Sequence, residues 1–306
     1  MTDTYKQFAV KTDNIAAFRD TVMNFNRNPE LKEATAYSVK NQRVYREYDL
    51  LRNLPEGTRN AEVKLTSRKT LDAAREYAAA GKRVAILNCA SAVKPGGETE
   101  NGNSTQEEYL CRCTNLYTCL NSTDAIMKFY TPHKTIGFNA PHTMDSCLTN
   151  DDCIYTPDVT VIKEENEGYK MLRENDWFNV DVISCSAPEF STAFTSPFIS
   201  AFGRGAQPDS TRIENVYRKR FERILNIARY KGVDVVILDF WGYKRSGEDA
   251  YIVSEAARKA AESFTSCFDV IEAAVGFSSA NENTYNIYAK AFEMDEPNPE
   301  VSSSVM

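Results

Sequence analysis

From Arg68 onward, the apolar positions of the chain switch repeatedly between helical and strand-like spacing. The segment RKTLDAAREYAAAGK has helical spacing and ends at Gly81, and the apolar run RVAILNCAS that follows predicts a short buried strand. Further strands are predicted in DVTVIKEE, VDVISCSAP, VDVVILDFWG and FDVIEAAVGF, and further helices in TRIENVYRKRFERILNIARYKG and over about residues 249–266. Apolar strands that alternate with helices are typical of a parallel or mixed sheet covered on both faces. We therefore predict one three-layer α/β domain.

The first 65 residues have weaker patterning. Helical spacing around Asn14–Asn26 and Leu31–Tyr48 predicts an N-terminal helical extension, residues 1–65, packed on a core domain of residues 66–292. This extension either covers the far end of a ligand or completes the core. Residues 293–306, which include DEPNPEVSSSVM, have the composition of a disordered tail.

Composition narrows the function classes. The net charge of -7 over 306 residues argues against direct nucleic-acid binding, which needs clustered Lys and Arg. There is no signal-peptide pattern and no apolar run long enough to span a bilayer, so we predict a cytoplasmic protein without membrane contact, and a monomer.

Metal and cofactor sites are not predicted. The eight cysteines lie mostly inside periodic segments, as buried reduced thiols do. The nearest approach to a metal-binding group is His133, His142, Cys147 and Cys153, which lacks a CxxC pair.

The loop Pro95–Thr105 joins a predicted strand to a helix predicted from about Thr105 to Asn121, which has two glutamates in its first turn. Ser104 precedes Glu107 by three residues and Thr105 precedes Glu108 by three, so either pair fits a capping box. Neighbouring helical residues point about 100° apart. One glutamate therefore caps the helix, and the other points either to solvent or into a cleft.

The stretch LNCASAVKPGGETENGNSTQEEYLCRCTNLY resembles the signature of the bacterial-type poly(ADP-ribose) glycohydrolases, a branch of the macrodomain fold. That family carries an Asn at a strand end, then Pro-Gly-Gly-Gly, a short spacer and Gln-Glu-Glu. The dense match runs from Leu87 to Tyr117 and continues more loosely through the later strands. The resemblance implies a macrodomain-like mixed sheet that binds ADP-ribose or an ADP-ribosylated macromolecule.

The resemblance also implies roles for individual residues. Glu108 would be the catalytic acid/base, giving a proton to the departing oxygen as an oxocarbenium-like ribose forms and then activating water. Glu107 would help to hold the ribose. The implied ligand-binding residues on this side are Asn88, at the distal ribose, Gly96 and Gly97, at the pyrophosphate, and Ala90 and Gln106. A helix N-terminus lowers a Glu pKa, whereas burial and the ligand's phosphates raise it, and the sequence leaves that balance open.

Two departures from the family pattern fall at the implied phosphate loops. Glu98 stands where the family has its third glycine, and GYKRSG replaces a Gly-Cys-Gly segment followed by an apolar residue and Phe. The implied ligand-binding residues of this second loop are Gly242, Tyr243, Lys244, Arg245, Ser246 and Gly247. One interpretation is that phosphate is contacted through the charge of Lys244 or Arg245, and that the family's stacking Phe is replaced by Phe240, Trp241 or Tyr243. The other is that all of these are ordinary loop residues.

The function implied by the resemblance is hydrolysis of the ribose–ribose bond of poly(ADP-ribose), or of a related O-linked ADP-ribose, without a metal. The altered loops keep two alternatives open. One is a non-catalytic macrodomain that binds or senses ADP-ribose or another NAD-derived nucleotide. The other is an enzyme whose loops fit a modified nucleotide that is then hydrolysed.

Overall fold

Within the part of the chain that the structure describes, seven strands form one mixed sheet. The structure is a computed structural model that describes residues 2–139, 149–166, 168–189, 210–241, 247–276 and 282–292. The strands are β1 (Arg43–Tyr45), β2 (Glu62–Thr66), β3 (Val84–Ala90), β4 (Cys153–Val161), β5 (Phe178–Ser186), β6 (Val235–Leu238) and β7 (Val270–Ala274). Their order is β1-β4-β5-β3-β6-β7-β2, with β4 antiparallel to both its neighbours and every other pair parallel.

Helices cover both faces of this sheet. They are α1 (Thr2–Arg27), α2 (Pro29–Asn41), α3 (Thr70–Ala79), α4 (Gln106–Cys113), α5 (Leu116–Leu120), α6 (Thr123–Ala125), α7 (Thr131–Asn139), α8 (Ser210–Lys231), α9 (Gly247–Glu262) and α10 (Glu282–Ala291). The core on one face is contributed by α8, α9 and α10, and the core on the other by α3, α4 and α5. The three-layer mixed α/β fold predicted from the apolar pattern is therefore confirmed.

The N-terminal segment is helical only in part. The helix predicted over Leu31–Tyr48 ends at Asn41, because Gln42 is extended and its amide donates to Cys119 O at 3.1 Å and Thr156 Oγ1 at 2.9 Å. These bonds direct the chain onto β4, where it pairs as β1. β2 lies at the opposite edge of the sheet. The helical prediction therefore fails for residues 43–45 and 62–65, and the division at residue 65 stays a prediction.

The helix predicted over Thr105–Asn121 is interrupted at Thr114. This residue is extended and forms an isolated bridge with Val161, while its hydroxyl donates to Leu110 O at 2.8 Å. A threonine that bonds the preceding turn in this way competes with the helical backbone pattern. The helix therefore divides into α4 and α5, and α4 is a separate short element that carries the two glutamates.

Candidate active site

Asn88 lies on β3 at the floor of the candidate site and is fully buried. In the parallel register it stands opposite Ser184 of β5, and its Nδ2 donates to Ser184 Oγ at 2.9 Å. The same nitrogen lies 3.4 Å from Glu107 Oε1. Its Oδ1 is buried without a hydrogen-bond partner among the described residues, so Asn88 retains an acceptor for a ligand hydroxyl.

Gln106 connects the start of α4 to β3. Its Nε2 donates to Leu87 O at 2.6 Å, and its Oε1 accepts from Cys89 N at 2.8 Å. The side-chain amide is thus engaged with the β3 backbone and sets the position of the two glutamates that follow it. Gln106, and Ala90 at the end of β3, stay predictions as ligand-binding residues.

Glu107 points inward from the first turn of α4 and is only 2% exposed. Its Oε2 accepts from Ser91 N at 2.8 Å, on the loop that leaves β3. Burial raises the pKa of this carboxyl to about 8, with the negative charge of Glu108 acting in the same direction against the hydrogen bonds from Ser91 and Asn88. The surroundings of Glu107 therefore favour its neutral form over its ionised form.

Glu108 is the glutamate that caps the helix. Its Oε2 accepts from Thr105 N at 2.7 Å and from the Thr105 hydroxyl, and the Thr105 side chain accepts from Glu108 N, which completes the capping box. Its Oε1 accepts from Glu98 N at 2.9 Å. Glu108 is only 4% exposed. Neither glutamate therefore points to solvent, which was one of the two directions that the sequence left open.

Both carboxyls converge on Gly97. Gly96 and Gly97 have φ angles of 68° and 56°, in the region that favours glycine. A Cβ added at Gly97 would lie 2.6 Å from Glu108 Oε1 and 3.1 Å from Glu107 Oε2. The missing side chain therefore lets both carboxyls pack directly against the Gly97 backbone.

The residue that departs from the family's three glycines turns away from this pair. Glu98 Oε1 accepts from Lys94 Nζ at 3.1 Å, and Oε2 accepts from Asn101 Nδ2. These two hydrogen bonds lower the pKa of Glu98. The carboxylate is consequently ionised, and the positive charge of Lys94 beside it offsets its own.

The second predicted phosphate loop cannot be placed beside this pair. Gly242, Tyr243, Lys244, Arg245 and Ser246 lie outside the described residues, and Gly247 is the first residue of α9. Of the proposed replacements for the family's Phe, Phe240 and Trp241 are both buried. Phe240 stacks on Tyr288 with ring centroids 4.1 Å apart, and Trp241 Nε1 donates to Cys185 O at 3.0 Å.

Two residues that support the site, and two further acids with raised pKa values, were not predicted from the sequence. Ser91 and Ser184 hold Glu107 and Asn88, and no local signal identifies them, because the strand register brings them there. Asp239 follows the apolar run of β6, which is a readable signal, and desolvation raises its pKa to about 7. Burial likewise raises the pKa of Glu165 to about 8, and its Oε2 accepts from Leu71 N at 2.8 Å.

Within the described part of the chain, no group of three His, Cys, Asp or Glu side chains has the arrangement to hold a metal ion. His142 and Cys147 of the weak metal candidate lie outside that part, and Cys153 is a free thiol within β4. Among the helices of the described ranges, none is both long and apolar enough to cross a membrane.

Comparison with known proteins identifies the family. No curated protein matches the chain at a significant level. The fold is similar to the crystal structure of poly(ADP-ribose) glycohydrolase (PARG) from Thermomonospora curvata bound to the inhibitor ADP-HPD, with 28% identity, a TM-score of 0.69, and 90% of this chain and 98% of that chain covered. It is also similar to the enzyme from Deinococcus radiodurans in complex with ADP-ribose, with 25% identity, a TM-score of 0.67, and coverage of 87% and 98%. The family model described as microbial-type PARG, catalytic domain, matches residues 11–164, which include α2, β3 and α4 with its two glutamates, and this chain therefore belongs to that family.

Proposed function

We propose that this chain hydrolyses the O-glycosidic ribose–ribose bond of poly(ADP-ribose), with Glu108 as general acid/base and Glu107 as a neutral ligand of the ribose. The observation that carries the proposal is the convergence of two buried carboxyls on Gly97 beside the free acceptor of Asn88. Membership of the microbial-type PARG family and the similarity to ligand-bound PARG structures support it.

The ribose is held by groups of opposite hydrogen-bonding character. Asn88 Oδ1 accepts from a sugar hydroxyl, and the protonated Glu107 donates to a sugar oxygen. Because a neutral carboxyl does not repel the nearby phosphates, Glu107 can sit close to the ligand without an electrostatic penalty. The positive φ angles of Gly96 and Gly97 shape the loop at which the pyrophosphate would bind.

In the proposed mechanism, Glu108 acts on the bond itself. It gives a proton to the departing oxygen as the C–O bond at the anomeric carbon breaks, and an oxocarbenium-like ribose forms. The resulting carboxylate then takes a proton from the water that attacks the anomeric carbon. The products are free ADP-ribose and a polymer end that carries a hydroxyl.

Two matched substitutions test this division of roles. Purified protein is incubated with poly(ADP-ribose), release of ADP-ribose is followed by chromatography, and ADP-ribose affinity is measured by calorimetry. Glu108→Gln is expected to reduce kcat by about 10²–10⁴-fold with affinity preserved, because it removes the transferable proton. Glu107→Gln is expected to lose only about 10-fold, since a neutral amide can still hydrogen-bond the ribose. Glu56→Gln, at an exposed loop position, is the control.

Two outcomes would contradict the proposal. A larger loss of kcat in Glu107→Gln than in Glu108→Gln would assign the transferable proton to Glu107. Binding of ADP-ribose by the wild type without release from any substrate would favour the non-catalytic alternative. That alternative rests on Glu98, whose carboxylate pairs with Lys94 and Asn101, and on the altered second loop, which lies outside the described residues apart from Gly247. Cytoplasmic location, a monomeric state and the absence of nucleic-acid binding stay predictions.

A further inference from the structure

A groove lies between α1 and the loop that holds Glu108. It has a volume of about 440 Å³ and is lined by Phe18, Arg19, Val22, Met23, Asn26, Arg27, Glu100 and Tyr117. A cleft of this volume is within the range that small-molecule ligands occupy. Neither the carboxyl pair nor Asn88 lines it, so the groove is a separate surface from the site described above.

A few contacts connect the groove to the loop Pro95–Thr105. Tyr117 packs against Gly96, where an added Cβ would lie 2.6 Å from Tyr117 Cδ2, and its hydroxyl donates to Glu100 Oε1 at 3.0 Å. Glu100 is two residues beyond Glu98, whose N–H binds Glu108. Two residues of extended chain span at most about 7 Å. The backbone of Glu100 in the groove wall therefore lies within about 7 Å of the Glu98 backbone, which binds the proposed acid/base.

The chemistry of the lining suits a nucleotide. Phe18 and Tyr117 contact edge to face with ring centroids 4.8 Å apart and, with Val22, form an apolar wall on which a base can stack. Asn26 is exposed at the rim, and its amide can both donate to and accept from an adenine edge.

The charge of the groove favours an anion. Arg19 and Arg27 are exposed on the same helical face as Met23, and neither is paired with an acid of the described residues. The acid next to Arg19, Asp20, pairs instead with Lys163 at 2.7 Å. Glu100 is the acidic residue in the lining, and its carboxylate accepts the Tyr117 hydroxyl. Two free guanidinium groups against one occupied carboxylate are suited to a pyrophosphate.

We propose that this groove binds the ADP-ribose unit of the polymer on the leaving side of the bond that is cut. The inference rests on the proposed hydrolysis of poly(ADP-ribose) and adds a second nucleotide subsite to it. The leaving unit carries the adenine, ribose and pyrophosphate that the apolar wall and the two arginines match. Binding there holds the scissile bond against the acidic pair and makes a polymer a better substrate than a small O-glycoside of ADP-ribose.

The test compares two substrates in one pair of variants. One substrate is an ADP-ribose dimer, which carries a leaving nucleotide, and the other is a methyl O-glycoside of ADP-ribose, which does not. Arg19→Ala with Arg27→Ala is expected to reduce the ratio of kcat/KM for the dimer to that for the methyl glycoside at least tenfold. For a long polymer, the slope of log kcat/KM against log salt concentration should also become less negative by about 1.4 in this variant. Each phosphate contact with a single strand contributes about 0.7 to that slope, and the variant loses two. Arg52→Ala with Arg75→Ala, at exposed positions on other elements, removes the same charge and should leave the ratio unchanged.

A second variant and the remaining outcomes complete the test. Met23→Trp, at a side chain 41% exposed in the groove, should raise KM for the dimer more than for the methyl glycoside by filling the space. Cleavage of both substrates with an unchanged ratio in the double variant overturns the groove proposal alone. In another outcome, the double variant loses activity only toward a mono-ADP-ribosylated protein, with the ratio unchanged. That result also overturns the groove proposal and indicates that the groove binds the carrier protein. A wild type that cleaves neither substrate overturns the proposed function and the groove proposal together.

Discussion

Replacing Glu107 with Gln should stabilise the protein increasingly as the pH rises. Burial raises the pKa of Glu107 from 4.5 to about 8, so the folded chain favours the neutral carboxyl. The contribution of this group to the free energy of unfolding is therefore fully present below pH 4.5 and is lost as the pH rises toward 8. A glutamine cannot ionise and does not incur this loss.

The magnitude follows from proton linkage. Relative to the fully protonated state, the wild type loses on the order of 1 kcal/mol at pH 5 and about 4 kcal/mol at pH 8, since a tenfold change in an equilibrium constant is about 1.4 kcal/mol. Glu107→Gln also disturbs a hydrogen bond, because one of its two terminal atoms is a donor that faces either Ser91 N or Asn88 Nδ2. That cost is independent of pH. The change in the stability difference between pH 5 and pH 8, about 3 kcal/mol in favour of the variant, is therefore the quantity to measure.

Urea unfolding followed by circular dichroism at pH 5, 6, 7 and 8 provides the measurement. Glu165 and Asp239 also have raised pKa values, of about 8 and 7, but they titrate in both proteins and cancel in the difference. Glu56→Gln, at an exposed position, should show a difference that stays within about 0.5 kcal/mol at every pH. A stability difference for Glu107→Gln that is constant from pH 5 to pH 8, or that falls, would refute the reasoning.

Two further substitutions test the supports of the site. Gly97→Ala would place a Cβ 2.6 Å from Glu108 Oε1 and is expected to reduce kcat/KM at least about 100-fold. The control is Gly81→Ala, which has a comparable φ of 74° but no atom within 4 Å of its Cβ, and it should only destabilise the fold. Equal activity of the two variants would count against the contact. Thr105→Ala removes the cap of α4 and should lower the free energy of unfolding by about 1 kcal/mol in a denaturant titration. Thr105→Ser keeps the hydroxyl and should retain most of that stability. A serine variant as unstable as the alanine variant would contradict the capping role.

Elements with strong local signals were predicted correctly from the sequence. The apolar run of β3 and the helix that ends before Gly81 are examples, because strand and helix spacing depend on a few consecutive residues. The ends of α2 and α4 could not be predicted in the same way. Gln42 leaves the helix to bind Cys119 and Thr156, and Thr114 leaves it to pair with Val161, and each of these partners is distant in sequence.

By itself, the sequence determined the alternation of strands and helices and the presence of two glutamates after a glycine pair, since these are local properties of the chain. It could not determine which glutamate faces Asn88, because both pairs satisfied the capping spacing. The tertiary structure decided this: Gln106 holds α4 on β3, Thr105 takes Glu108 as its cap, and Glu107 is left facing Asn88 and Ser91. The physical reason is that burial and strand register arise only from long-range packing, and they set the proton affinity of the inward carboxyl.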